Sequence, residues 1–224
     1  MITLLKNELI ELKNLIQRHW TPIAIISFSI VLIILVREKK PPVLPKLHLD
    51  GIPDHSLKSL VYWGLVPLIF GMLVTKKNPL KLGLGLGNYR YWIPVSLLFL
   101  VIALPIVYVS GSAGSFQNYY AANQNFDLSQ YIWRMSLYMI GWEFFYRGFM
   151  TLGLKDSLKE SAILVQMIPF TLLHLGKPMA ESIACIPSGL IWGYIAYKSG
   201  SFWPAFFMHM AVNVVLKCAS IGMI

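Results

Sequence analysis

Uncharged, mostly apolar runs occupy residues 21–36, 59–75, 91–110, 161–176, 182–197 and 199–216, and short charged segments separate most of them. Most lie near the lower limit of the ~20 residues that cross a hydrocarbon core of ~30 Å as a helix. A further run at 131–154 is as apolar but carries Arg134, Glu143 and Arg147. The pattern predicts an all-α membrane protein, a polytopic helical bundle of about seven to eight transmembrane helices: seven crossings, and eight if the N-terminal segment inserts. In that segment Leu5, Leu9, Leu12 and Ile16 recur at helical spacing, with Lys6, Lys13 and Arg18 on other faces. This reads as an amphipathic helix on the membrane surface or a lead-in to the first span.

The segments between runs divide the chain into an N-terminal helix at 1–20, a region of spans and basic loops at 21–90, and a core at 91–219. The connection 111–130 has no Lys or Arg, whereas 75–90 and 155–160 do, so the positive-inside bias places 111–130 outside. The 37–58 segment breaks that bias, since it carries Arg37, Lys39, Lys40, Lys46 and Lys58 on the side expected to be outside. Its stretch from Arg37 to His55 is Pro-rich and without periodicity. KLGLGLGNYR at 81–90 has alternating glycines, but no strand precedes it and no Lys-Ser/Thr follows, so a flexible loop is expected rather than a phosphate cradle.

Composition agrees with the pattern. Hydrophobic residues make up 56% of the 224 and charged residues 13%, which excludes a soluble enzyme. The net charge of +9 sits in short clusters beside apolar runs, the signature of membrane loops and lipid contact rather than of a nucleic-acid groove. Cys185 and Cys218, the only cysteines, lie inside apolar stretches without the spacing of a thiolate metal site.

Ionisable groups inside a span cost ~2.5–3.5 kcal/mol each on insertion scales, so they mark function by default. Glu143 alone among the ten acids sits well inside an apolar run, four residues before Arg147. At about 100° per residue the two share a face and can pair. By itself that is equally a structural ion pair. His174 ends Phe-Thr-Leu-Leu-His, and His209 precedes Asn213 by four residues on one face of the last run. A single interfacial histidine is usually a plain hydrogen-bonding residue. Glu143, two histidines and Asn213 on different helices of one contiguous half are another matter, because together they can polarise a water, directly or through a metal, and donate to an oxyanion.

Glu-x-x-x-Arg at 143–147, Phe-x-x-x-His at 170–174 and His-x-x-x-Asn at 209–213, in that order, resemble the three signature motifs of the CPBP family, the CAAX proteases and bacteriocin-processing enzymes, also called the Abi family. The similarity extends over roughly 90–219. The resemblance implies a multi-pass intramembrane endopeptidase, metalloprotease-like, that hydrolyses a peptide bond of a membrane-associated protein or peptide, in what would be a prokaryotic cell membrane. It implies that Glu143 and His174 activate water while His209 and Asn213 stabilise the oxyanion. Whether a divalent metal such as zinc takes part is left open, with Glu143, His174 and His209 the candidate ligands. One position departs from the family. Its first motif usually begins with two glutamates, and Trp142 stands in place of the first, the one assigned to water activation. Glu143 should then point well away from where a Glu at 142 would point. The alternative reading is a catalytically impaired member that acts as a membrane binding or regulatory protein; a transporter is the third class and fits less well, since no repeated halves appear.

Overall fold

The computed structural model describes residues 1–37, 53–120 and 126–224. The described residues form helices α1 (Ile2–Arg18), α2 (Trp20–Arg37), α3 (Asp54–Thr75), α4 (Tyr89–Gly111), α5 (Gly114–Tyr119), α6 (128–158), α7 (Ser161–Leu172), α8 (Met179–Ser199) and α9 (Trp203–Ser220). No strand occurs among them. Each of the seven apolar runs is thus a helix, as the sequence pattern predicts. Among the described residues four stretches are long and apolar enough to cross a membrane by length and composition: Trp20–Arg37, Asp54–Thr75, Leu80–Gly111 and Met179–Ser199. The other three of the seven, α6, α7 and α9, are short or interrupted by polar residues; α6 carries Glu143 and Arg147, and α9 carries His209 and Asn213. Residues 38–52, which hold most of the Pro-rich stretch, and 121–125 of the connection at 111–130 lie outside the described residues.

In α1, Leu5, Leu9, Leu12 and Ile16 are all exposed, so these four side chains are not buried against the rest of the described residues. The bundle is organised instead around α6. Asp127 caps α6, its carboxylate accepting from the Gln130 N–H at 3.0 Å. The helix is α-helical over Leu128–Glu143, winds more widely as a π-helix over Phe144–Leu152, and returns to α over Gly153–Leu158. π-Segments are uncommon and often coincide with functional sites. All residues of this one are buried. Phe145, Tyr146 and Phe149 anchor the core, with Ile25, Leu82, Phe170, Ile195 and Phe202 packed into the same cluster.

Close backbone approach fixes α3 against α6. Ser59 donates to the Tyr138 carbonyl at 2.6 Å and Ser56 to the Arg134 carbonyl at 2.9 Å. A Cβ on Gly141 would overlap the Ser59 carbonyl, so only glycine permits this contact. Small residues at such seams are how helices approach within a bilayer, where no hydrophobic force draws them together.

The glycine segment at 81–90 corrects an expectation. Instead of a flexible loop, it is held through its carbonyls. Trp203 Nε1 donates to Leu84 O at 3.0 Å, Ser201 Oγ to Gly85 O at 2.7 Å, and Trp92 Nε1 to Leu86 O at 2.8 Å. The Asn88 N–H donates to Ser199 O at 2.8 Å. The glycines serve its path rather than its mobility: Gly83 and Gly87 adopt φ of 98° and 56°, in the left-handed region open to glycine at little cost.

Candidate active site

Glu143 is the last residue of the α-helical part of α6, and its side chain is fully buried. One carboxylate oxygen, Oε1, lies 2.6 Å from His209 Nδ1, and the other, Oε2, lies 3.2 Å from Arg147 Nε. The i, i+4 spacing therefore brings Glu143 and Arg147 together. The second partner, 66 positions along the chain, comes from α9. Arg147 is also fully buried. Its Cζ stands 4.1 Å from the Phe170 ring centroid and 5.6 Å from those of Tyr146 and Trp192, so ring faces and the Glu143 charge surround the guanidinium.

His174 follows α7. The α7 ladder ends there because the His174 N–H bonds to the Thr171 carbonyl, and the Phe170 carbonyl is taken by His174 Nδ1 at 2.7 Å. A carbonyl only accepts, so Nδ1 carries the proton and Nε2 is the bare nitrogen of the neutral ring. His209 is set by Glu143 on one edge and by the Trp192 ring on its face, the centroids 4.9 Å apart. The two imidazole centroids are 6.3 Å apart. Asn213, one turn beyond His209, accepts at Oδ1 from the Tyr131 hydroxyl at 2.6 Å, which leaves its NH₂ to donate elsewhere.

His174, His209 and Asn213 border two cavities at once. The first, of about 260 Å³, runs between α4 and α8 and is lined by Phe99, Ile106, Val107, Ile191 and Leu216 among others. The second, of about 250 Å³, lies against α6 and is bordered also by His55, Tyr138, Trp142 and Lys177. Of the four residues the sequence singles out, Glu143 alone lines neither cavity, because both its oxygens are turned to Arg147 and His209. Position 142 does face the second cavity. The Trp142 indole stands edge-to-face with His174 at 5.9 Å and packs on Trp63, Tyr138 and Tyr146. The 100° turn from 142 to 143 thus separates a cavity-facing position from a buried one, as the helix geometry predicts.

Metal binding can be tested on the donors. Glu143 is spent on two partners, and each histidine has used Nδ1, so only the two imidazole Nε2 atoms are left to a cation. Catalytic zinc takes three protein ligands, and among the described residues no three His, Cys, Asp or Glu side chains converge. The arrangement does not fit a zinc centre.

Residues 124–215 match the model of the family described as type II CAAX prenyl endopeptidase, Rce1-like. This match is to the CPBP, or CAAX protease, family. It spans α6 to α9 up to Val215, and so includes all four motif residues and the Arg147 partner. Neither a search of curated proteins nor one of solved structures finds a significant match.

Four contributors escaped the sequence reading. Tyr131 orients Asn213 and Trp192 flanks His209, yet each lies far along the chain from its partner. His55 and Lys177 border the second cavity, and in sequence they look like residues of charged loops. The one usable signal was their place at the ends of apolar runs: Lys177 directly follows the run at 161–176, and His55 lies four positions before the run at 59–75.

Proposed function

We propose that the chain is an intramembrane endopeptidase that hydrolyses a peptide bond of a membrane-associated protein or peptide at the junction of the two cavities. The observation that carries this reading is His174, held by the Phe170 carbonyl with its Nε2 bare beside His209 and Asn213. In this mechanism His174 Nε2 takes a proton as water oxygen attacks the scissile carbonyl carbon. The tetrahedral oxyanion is stabilised by the Asn213 amide and the free edge of His209. The C–N bond then breaks, and the proton passes from His174 to the departing amine. Glu143 takes part through His209: its carboxylate fixes that ring and offsets the positive charge a doubly protonated His209 carries. His174 is thus the base that activates water, and the carboxylate behind His209 supports the oxyanion donor, with no step through a metal.

The second reading is a binding or regulatory protein with impaired catalysis. Trp142 favours it, because an indole fills the position from which a carboxylate would face His174. Cleavage of a membrane-peptide library by purified protein in lipid separates the two: products that vanish with His174→Ala support the peptidase, and no products from the native chain support the regulator.

A further inference from the structure

α1 has 17 residues, and those from Leu4 to Arg18 are all exposed with respect to the other described residues. A helix of this length is marginal in water on its own, so its apolar stripe calls for a partner. The spacing says of what kind. Leu5, Leu9, Leu12 and Ile16 follow one another at intervals of four, three and four, the heptad rhythm that puts Leu5 and Leu12 at d positions and Leu9 and Ile16 at a positions. Leucine at d with a β-branched residue at a, as at Ile16, suits two strands.

The charges beside the stripe set the orientation. In this register Glu8 is a g position, and Lys6 and Lys13 are e positions. In a parallel pair each g residue meets the e residue five positions further on in the other helix, so Glu8 faces Lys13 of a second copy, and two-fold symmetry makes the contact twice. An antiparallel pair would set lysine against lysine and glutamate against glutamate. The membrane imposes the same choice, because chains inserted in one direction present α1 in parallel.

The backbone shows where α1 points. The His19 N–H donates to Leu15 O at 3.0 Å and the Ile23 N–H to His19 O at 3.1 Å, so the helical ladder runs on into α2 although His19 departs from helical angles, with φ −112° and ψ 26°. α2 is long and apolar enough to cross the membrane. A helix turned flat onto the bilayer would break the ladder at the turn. α1 instead prolongs the span, which favours the lead-in over the surface helix, and its length of about 26 Å carries most of the stripe away from lipid. Within the span α2 exposes Ile30, Val31 and Ile34, with Ile30 two heptads beyond Ile16 in sequence, so two copies in contact through α1 also have an open face to share in the bilayer.

We propose that α1 is a dimerisation stalk: it pairs in parallel with α1 of a second copy of this chain, through the Leu5, Leu9, Leu12 and Ile16 stripe, with Glu8–Lys13 pairs on either side.

The test uses full-length protein in zwitterionic vesicles, with association read by energy transfer between donor-labelled and acceptor-labelled copies at increasing lipid-to-protein ratio. The native chain should show transfer well above that of randomly placed copies, and Leu9→Asp with Leu12→Asp should abolish the excess. Glu8→Lys alone and Lys13→Glu alone should each weaken association about tenfold, since two attractive pairs become repulsive. An equimolar mixture of these two variants should associate as the native chain does, because each then meets its opposite charge. Oxidation should join Leu12→Cys, at a d position, into a covalent dimer and leave Asn14→Cys, on the outer face, monomeric; the native Cys185 and Cys218 are buried. Transfer at the random level in the native chain overturns the proposal, and so does a mixture no better than its components or equal cross-linking at positions 12 and 14. Protection of Leu12→Cys from a water-soluble maleimide without cross-linking also overturns it: protection that needs anionic lipid assigns the stripe to the bilayer surface, and protection in every lipid assigns it to another part of the same chain.

Discussion

Removing Arg147 should damage folding more than removing His209, although both side chains touch the same carboxylate. In Arg147→Ala the Glu143 carboxylate stays fully buried with only His209 at 2.6 Å to answer it. Breaking one side of a buried ion pair costs ~3–5 kcal/mol, because the remaining charge is desolvated and unpaired. The guanidinium also leaves the Phe170 face it covers at 4.1 Å, which adds ~0.5–2 kcal/mol. Against a total stability of ~5–15 kcal/mol that is a large fraction. In His209→Ala the carboxylate keeps Arg147 at 3.2 Å, and the loss is closer to one charged hydrogen bond, ~1.5–3 kcal/mol. Thermal unfolding of both variants in one detergent, read by loss of monodisperse protein, should rank Arg147→Ala clearly below His209→Ala. The double variant Glu143→Gln, Arg147→Met removes both charges and should recover part of the loss, since neighbours that share an interaction are not additive. Equal stability of the two single variants, or a double variant no better than Arg147→Ala, would refute the view that this pair is mutually neutralising.

The remaining predictions concern the cavities and the seam behind them. Trp142→Glu should raise cleavage, because position 142 faces the second cavity beside His174; unchanged or lower turnover in well-folded protein would show that a carboxylate there is not limiting. Glu143→Gln should abolish cleavage by releasing the charge that holds His209, and turnover at the native level would remove Glu143 from the mechanism. Tyr131→Phe frees Asn213 from one neutral hydrogen bond of ~0.5–1.5 kcal/mol and should lower kcat several-fold with little change in KM; an effect confined to KM would contradict a role for Asn213 at the oxyanion. Gly141→Leu should prevent folding by driving α3 away from α6, and normal folded yield would show the seam to be adaptable.

What the sequence made legible follows from the range of each interaction. Runs free of charge gave six of the helices, and a seventh, α6, showed through its charges as an equally apolar run, because crossing hydrocarbon is a property of a single segment. The Glu143–Arg147 pair was equally visible, being one helical turn apart. The Glu143–His209 and Tyr131–Asn213 contacts were not, since 66 and 82 positions separate the partners and only the packing of α9 on α6 joins them. The glycines at 81–90 showed conformational freedom but not its use: the donors that hold the segment in place, Ser201, Trp203 and Trp92, read as ordinary members of apolar runs. The place of Trp142 was legible in part. Helical geometry turned Glu143 away from it, and only the folded chain revealed that position 142 faces a cavity while 143 is sealed behind His209.

The most direct test of the central claim is cleavage of a membrane-peptide library in lipid by purified native protein and by His174→Ala, matched for folded amount. The account predicts weak but measurable hydrolysis by the native chain and none by His174→Ala. Hydrolysis that survives in His174→Ala would contradict the assignment of the base, and a native chain inactive across the library would favour the non-catalytic reading.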